Sequence, residues 1–300
     1  MTPPTVGVDL GGTRLRVALV GDDGTVLARR ESPSRLGDGC DAVTTLAQLC
    51  LEVTGGEPPA AVGLATSGPV DVTSGVIDNP FTLRNWSGIP LRSALSRELG
   101  CGSHVAVDND AAAAALAESY HGAGRGADPV AVVTLGTGIG AALVVGGRLL
   151  RGSAGFHPEA GHCLVDPQGP RCYCGAHGCW EVLASGTALT HTALAAGFAS
   201  AEACVTAARD GNPRAAKITG TVARYTALGL ISVSSFWAPE VIVIGGSLGS
   251  ALDVMRPVID RNLAELGPML PPGGIRLAQA ELGCDAGVVG AAMLARTPAP

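Results

Sequence analysis

Three hundred residues are enough chain for two domains and a sizeable core. Charged residues make up 15%, against roughly 25% in an average soluble chain, while hydrophobic residues reach 47% and aromatics 3%, which excludes a disordered chain and predicts a core of Ala, Val, Leu and Ile. The net charge of −6, with no basic run, argues against a nucleic-acid or anionic-membrane partner.

Met1-Thr2-Pro3-Pro4-Thr5 has no basic region and leads to an acid at Asp9, unlike a signal peptide. Val6–Leu10 reads as a strand entering a glycine turn, Gly11-Gly12-Thr13. Arg14–Val20 alternates with Leu15, Val17 and Leu19 on one face, and Gly21–Gly24 turns into a third strand over Thr25–Glu31. The spacing of Val43, Leu46, Ala47, Leu49 and Cys50 predicts a helix over Asp41–Val53. A strand at Ala61–Ala65, a short helix at Leu91–Leu99 and a strand at Val105–Val107 follow, and an alanine-rich helix begins over Asp110–Glu118. Val130–Gly147 carries no charge for 18 residues, the lower edge of a membrane span. Gly136, Gly138 and Gly140 in its middle favour strand, glycine turn, strand instead. After Ser185 the chain reads as helical, through Leu194–Arg209 and Pro213–Val233. Glu240–Ile244 is a buried strand running into Gly245-Gly246, Ala286–Ala295 a final helix, and Thr297–Pro300 a frayed tail. The two glycine hairpins, Gly11 to Gly21 and Gly136 to Gly146, have equal spans and lie 125 residues apart, which predicts duplicated α/β halves.

The 20 basic residues include a single lysine, Lys217 in Ala-Ala-Lys-Ile. A Walker-type loop and a protein-kinase fold each need a lysine in a defined setting, so phosphate handling here falls to glycine backbone, hydroxyls and metal. Asp9 stands at a strand end beside Gly11, Gly12 and Thr13, where backbone amides cradle phosphate and the acid holds Mg²⁺ through water. Gly136-Thr137-Gly138 is a second such turn, and Gly245-Gly246 a third backbone surface, suited to a nucleoside. Asn109-Asp110 marks a strand-to-helix junction, where open α/β folds bind ligands and where either residue also suits a helix cap.

Nine cysteines are an odd number, and Cys172, Cys174 and Cys179 fall within eight residues. Together with His162 they have the spacing of a closed, structural Cys₃His zinc site. His177 is the rival fourth ligand and Cys163 a weaker one. Cys40, Cys50, Cys101, Cys163, Cys204 and Cys284 read as small buried hydrophobes. Glu159 and Glu181 bracket the metal segment, so one metal-bound loop would hold both acids rigidly. His162 can serve twice, one ring nitrogen on zinc and the other donating outward.

In order along the chain, Asp9-Leu-Gly-Gly-Thr13, Asn109-Asp110, Leu135-Gly-Thr-Gly138, Glu159-Ala-Gly-His162, Cys172-x-Cys-Gly-x-x-Gly-Cys179-Trp-Glu181 and Gly245-Gly246 resemble the ROK family (repressor, open reading frame, kinase) of bacterial sugar kinases and regulators. The resemblance covers nearly the whole chain. It implies an α/β, actin/hexokinase-type (ribonuclease H-like) duplicated fold with ATP and sugar in a central cleft and a zinc-stapled loop. The expected division is a small domain, 1–108, joined by a C-terminal helix, 285–300, and a large domain, 109–284, carrying the zinc loop 157–181.

By the same resemblance Asp110 is the base, Asn109, Glu159, His162 and Glu181 bind sugar hydroxyls, and Gly68 lines the sugar loop. Asp9, Gly11, Gly12, Thr13, Gly136, Thr137 and Gly138 surround phosphates and Mg²⁺, and Gly245 and Gly246 lie under adenosine. His162, Cys172, Cys174 and Cys179 hold zinc. The implied activity is transfer of the γ-phosphoryl group of ATP to a hydroxyl, the 6-OH by analogy, of glucose or a glucose-like hexose.

Several positions depart from the family pattern. Ala65-Thr66-Ser67-Gly68-Pro69 replaces the usual Gly-x-Pro-Gly-Pro, Thr82 stands where Asn is usual, and Ala141 and Ser247 replace glycines. The first two lie where the family contacts sugar, which keeps an amino sugar such as 3-amino-3-deoxyglucose, fructose, mannose or a cyclitol open as substrate. The family's sugar-sensing regulators carry a winged helix-turn-helix ahead of the first glycine motif. Eight residues precede Asp9 and the charge is negative, so the kinase reading is preferred. A nucleic-acid-binding zinc ribbon is discarded because only Arg171 is basic near the cysteines. A cytoplasmic homodimer or homotetramer, with small-molecule sugar and ATP as partners, completes the expectation.

Overall fold

The computed structural model describes residues 3–36, 40–80, 82–100, 102–265 and 276–296. The expected tail Thr297–Pro300 and Cys101 lie outside the described residues, as does the side chain of Cys40. The first half of the chain runs β1 (Thr5–Leu10), β2 (Arg14–Val20), β3 (Val26–Pro33), α1 (Cys40–Val53), β4 (Ala61–Thr66), β5 (Val70–Asp71), β6 (Val76–Ile77), α2 (Leu91–Glu98), β7 (His104–Asn109) and α3 (Asp110–His121). Then come β8 (Val130–Leu135), β9 (Ile139–Val145), β10 (Arg148–Leu149), α4 (Trp180–Ala184), α5 (Gly186–Ala195), α6 (Ala201–Arg209) and α7 (Pro213–Trp237). The chain finishes with β11 (Val241–Gly245), α8 (Leu252–Ala264), β12 (Arg276–Gln279) and α9 (Ala286–Arg296).

The chain packs as two compact units: Met1–Gly126, Val144–Pro158 and Glu281–Pro300 form the first, and Ala127–Leu143 with Glu159–Ala280 the second. The first therefore takes in α3 and the segment 144–158, beyond the sequence division at 108. Its five-stranded sheet has the order β3-β2-β1-β4-β7, with an antiparallel hairpin followed by parallel strands. The other sheet has the order β10-β9-β8-β11-β12, again a hairpin followed by parallel strands. The repeat expected from the glycine spacing is thus a repeat of topology. Val130–Gly147 forms β8, a glycine turn and β9, and among the described residues no helix is long and apolar enough to cross a membrane.

In the first unit α9 lies directly on the sheet, because the strand residues beneath it have no side chains. A Cβ on Gly63 would fall 1.6 Å from the Ala291 carbonyl oxygen. Both cores are aliphatic, built from Val, Leu, Ile and Ala as the composition predicts. Cys50 and Cys204 are buried within them, whereas Cys163 is half-buried and Cys284 exposed, so the last is not the core residue expected. The helix read over Leu194–Arg209 is two helices. Gly197 turns the chain at φ +86, and Ser200 caps α6, its hydroxyl oxygen accepting from the Ala203 amide at 3.1 Å.

Candidate functional site

In the first unit the candidates gather at the carboxyl ends of parallel strands. Register places Leu10, Thr66 and Asn109 in one row, one residue beyond Asp9 and Ala65. The turn Gly11–Thr13 closes with a Gly11 N–H to Arg14 carbonyl bond of 2.9 Å. Ser34 braces it: its amide donates to the Thr13 carbonyl at 3.1 Å and its hydroxyl to the Gly12 carbonyl at 2.8 Å. Buried Trp86 in turn donates its indole N–H to the Ser34 carbonyl at 2.8 Å. Asp9 accepts from Arg16, directly opposite on β2, at 3.0 Å. Burial raises the Asp9 pKa and Arg16 opposes the rise. A single carboxylate beside backbone amides suits Mg²⁺, which keeps most of its waters when bound near phosphates.

Asn109 and Asp110 both serve the start of α3. Asn109 Oδ1 accepts from the Ala111 and Ala112 amides at 2.8 and 3.3 Å, and Asp110 Oδ1 accepts from Ala111 at 2.8 Å. The capping role is therefore real, and it fixes the acid at the strand edge. Gly68 has φ +91, which only glycine adopts readily. Its neighbour Asn79 carries no motif in the sequence. The Asn79 amide donates to the Ser67 carbonyl at 3.2 Å and its oxygen accepts from the Thr82 N–H at 3.1 Å. Asn79 thus ties the Ser67-Gly68 loop to Thr82.

Behind Asn109, buried Asp108 makes a bidentate ion pair with Arg151, whose Nη1 is 3.1 Å from Oδ1. Buried His157 lies close by. Burial pulls its pKa down to about 4, with Asp108 opposing and Arg151 reinforcing the shift.

In the second unit the turn Gly136–Gly138 is fixed from two sides. The Gly186 amide, at the start of α5, donates to the Gly136 carbonyl at 2.7 Å, and the Thr187 hydroxyl to the Thr137 carbonyl at 2.7 Å. Glu181, on α4, accepts from the Ile139 amide at 2.7 Å, just past the turn. The Glu159–His162 turn lies against the same strand: Gly161 is buried, and a Cβ there would fall 2.1 Å from the Ile139 carbonyl oxygen. That close approach is the physical reason for glycine in Glu-x-Gly-His. Desolvation raises the Glu159 pKa, with Glu181 adding to it and His162 opposing.

Ligand atoms of His162, Cys172, Cys174 and Cys179 all lie within 4.8 Å of one another. Cys172 Sγ is 3.5 Å from His162 Nδ1, and Cys174 Sγ is 3.5 Å from Cys179 Sγ. A tetrahedral centre with bonds of about 2.0–2.3 Å separates its ligands by roughly 3.5–3.8 Å, so this set fits zinc. His177 instead faces the Gly169 carbonyl at 3.3 Å. Burial pushes the Cys179 thiol up to about 12, while a hydrogen bond from the Ala176 amide lowers the pKa of Cys174. A bound cation reverses the first effect by holding the thiolate, which makes affinity pH-dependent.

A cavity of about 370 Å³ opens beside Thr137, lined among others by Thr187, Thr190, His191, Glu202 and Ser247. Its volume suits a small molecule, and Gly246, at φ +84, carries β11 toward Ser247. Ser247, one residue past Gly246, lines the cavity, whereas Gly245 and Gly246 are not among its lining residues; Thr187 and Thr190 carry no motif that marks them in the sequence.

The ROK family model matches residues 5–298. A glucokinase from Thermotoga maritima is 34% identical, over 96% of this chain and 96% of that protein. The crystal structure of a ROK hexokinase from Thermus thermophilus superposes with a TM-score of 0.84 at 33% identity, covering 98% of each chain. A ROK glucokinase from Streptomyces griseus, in complex with glucose and AMPPNP, gives a TM-score of 0.82 at 31% identity over 98% of this chain and 99% of that one. With the strand order, the repeated hairpins and the glycine turns described above, these findings mean that the chain has the actin/hexokinase-type fold and belongs to the ROK family.

Proposed function

We propose that this protein is an ATP-dependent hexose kinase that transfers the γ-phosphoryl group to the 6-hydroxyl of glucose. The observation that supports the reading is one short segment in which a metal-ligand cluster and candidate hydroxyl-binding groups stand together. His162 turns Nδ1 toward the cysteine cluster and Nε2 outward, with Glu159 three residues before it and Glu181 two residues after Cys179. Zinc supplies the cross-link that holds this loop when bound. The acids on either side then present carboxylate oxygens in fixed positions, which is what a ligand made of hydroxyls requires.

Phosphoryl transfer is mostly positioning and charge stabilisation in a loose transition state. In this reading Asp110 takes the proton of the attacking hydroxyl, held in place by its own bond to the Ala111 amide. Asn109, Glu159, His162 and Glu181 bind the remaining hydroxyls, with Gly68 and Thr82 on the sugar loop. The amides of Gly11, Gly12, Thr13, Gly136, Thr137 and Gly138 receive phosphate oxygens. Mg²⁺ near Asp9 supplies charge neutralisation, and Gly245, Gly246 and the adjoining cavity take the nucleoside. A cytoplasmic homodimer or homotetramer belongs to the same proposal, checked by sedimentation of the purified protein.

Phosphotransfer from Mg-ATP to glucose, fructose, mannose, their amino analogues and cyclitols tests the reading, with the phosphate located by NMR. Glucose 6-phosphate is the expected product. Preference for an amino sugar or cyclitol would make Ser67 and Thr82 the specificity element and overturn glucose as substrate. Sugar binding without turnover would leave a sensor rather than an enzyme.

A further inference from the structure

Tyr173 sits between two metal-ligating cysteines and is 76% exposed. Its hydroxyl nevertheless lies 3.1 Å from His162 Nε2, and its ring meets the imidazole edge-on, with centroids 5.1 Å apart and planes at 84°. His162 Nδ1 belongs to the metal set. When that nitrogen is a ligand, the proton resides on Nε2, which becomes a donor and needs an acceptor. A phenol oxygen accepts, and its own proton remains for a neighbouring carboxylate. A sugar hydroxyl bound to His162 would make the same use of the same nitrogen.

We propose that the Tyr173 hydroxyl is a built-in competitor, occupying the sugar-hydroxyl position on His162 in the sugar-free protein and leaving it for solvent when sugar binds. The proposal rests on the reading of His162 as a sugar ligand. Exposure makes the exchange feasible, because rotation about the Tyr173 side-chain bonds releases the hydroxyl without moving the metal loop. Exchange also makes the site selective. A ligand with a hydroxyl at the matching position replaces the lost bond, whereas a deoxy analogue leaves His162 unpaired and cannot displace the tyrosine at equal cost.

Calorimetric titration of glucose into the zinc-loaded full-length protein tests this. Tyr173→Phe keeps the ring and removes the competing hydroxyl, so glucose binds about three- to tenfold tighter, the worth of one net hydrogen bond. KM for glucose falls by the same factor without a matching change in kcat, and zinc content matches the parent. In ¹⁵N NMR of the sugar-free protein the His162 Nε2 resonance differs between parent and Tyr173→Phe, and saturating glucose removes the difference. Unchanged or weaker binding by Tyr173→Phe overturns the proposal, as does weakening by Tyr173→Ala alone, which would mean that the ring packs on sugar. If neither parent nor variant binds any sugar, the kinase reading falls and this one with it. Sugar binding without tightening overturns this one alone.

Discussion

Both units build an antiparallel hairpin around a glycine turn, Gly11–Thr13 between β1 and β2 and Gly136–Gly138 between β8 and β9, and both place two parallel strands beside it. They brace the turn by different means. In the first unit the brace is a relay of hydrogen bonds, Trp86 to Ser34 to Gly12 and Thr13, and the candidate acids stand at strand ends. In the second unit the brace comes from Gly186, Thr187 and Glu181, and the candidate acids, Glu159 and Glu181, flank a metal-ligand cluster in sequence. The duplicated frame therefore repeats the glycine turn, and in the proposed function the turn takes phosphate in both units while the sugar-binding groups come from what each unit adds to that frame.

The comparison breaks most visibly at Asp110. If the strand-end acid of the first unit carries the proton transfer, Asp110→Asn lowers kcat by about 10²- to 10⁴-fold while nucleotide and glucose still bind by calorimetry. A near-parental rate would remove the first unit's acid from the chemistry. Gly161→Ala tests the second unit's brace. Its Cβ collides with the Ile139 carbonyl, so the Glu159–His162 turn must shift, and kcat/KM for sugar falls about 10- to 100-fold with little change in KM for ATP.

Acid titration sharpens the contrast further. His157 in the first unit has its pKa lowered from 6.5 to about 4 by burial. The unfolded chain then binds the extra proton between these values, so stability falls as pH drops through that window and is intact above it. The full effect is about 3 kcal/mol, and His157→Gln flattens the dependence of Tm on pH between 7 and 4.5 by a corresponding amount. The smallest effect is expected for Ser34→Ala. It removes one hydroxyl bond to the Gly12 carbonyl, worth about 1 kcal/mol, and raises KM for ATP a fewfold while leaving the sugar KM unchanged.

Much of the frame is legible in the sequence because it is local. Alternation marks β1 and β2, the uncharged run with three glycines in its middle marks β8 and β9, and close spacing marks the cysteine cluster. What escapes depends on partners distant in sequence. Asp108 falls just past the strand read at Val105–Val107 and carries no motif, and only the fold brings Arg151, 43 residues away, onto it. Asn79 carries no motif, yet it ties Ser67 to Thr82. Tyr173 reads as the spacer in Cys-x-Cys, and only the fold turns its hydroxyl onto His162. The scattered cysteines show the limit of composition. Cys204 is core and Cys284 is exposed, although both follow apolar neighbours closely in sequence.

The most direct test of the account is the coupling between metal and sugar. Glucose and AMPPNP are titrated separately into zinc-loaded protein and into Cys172→Ala, with zinc measured in each. The account predicts that the variant loses zinc and glucose affinity together while keeping AMPPNP affinity within about threefold, since the proposed nucleotide groups belong to glycine turns that carry no zinc ligand. Full glucose affinity in zinc-free protein would contradict it, because the acids beside His162 would then need no metal to hold them.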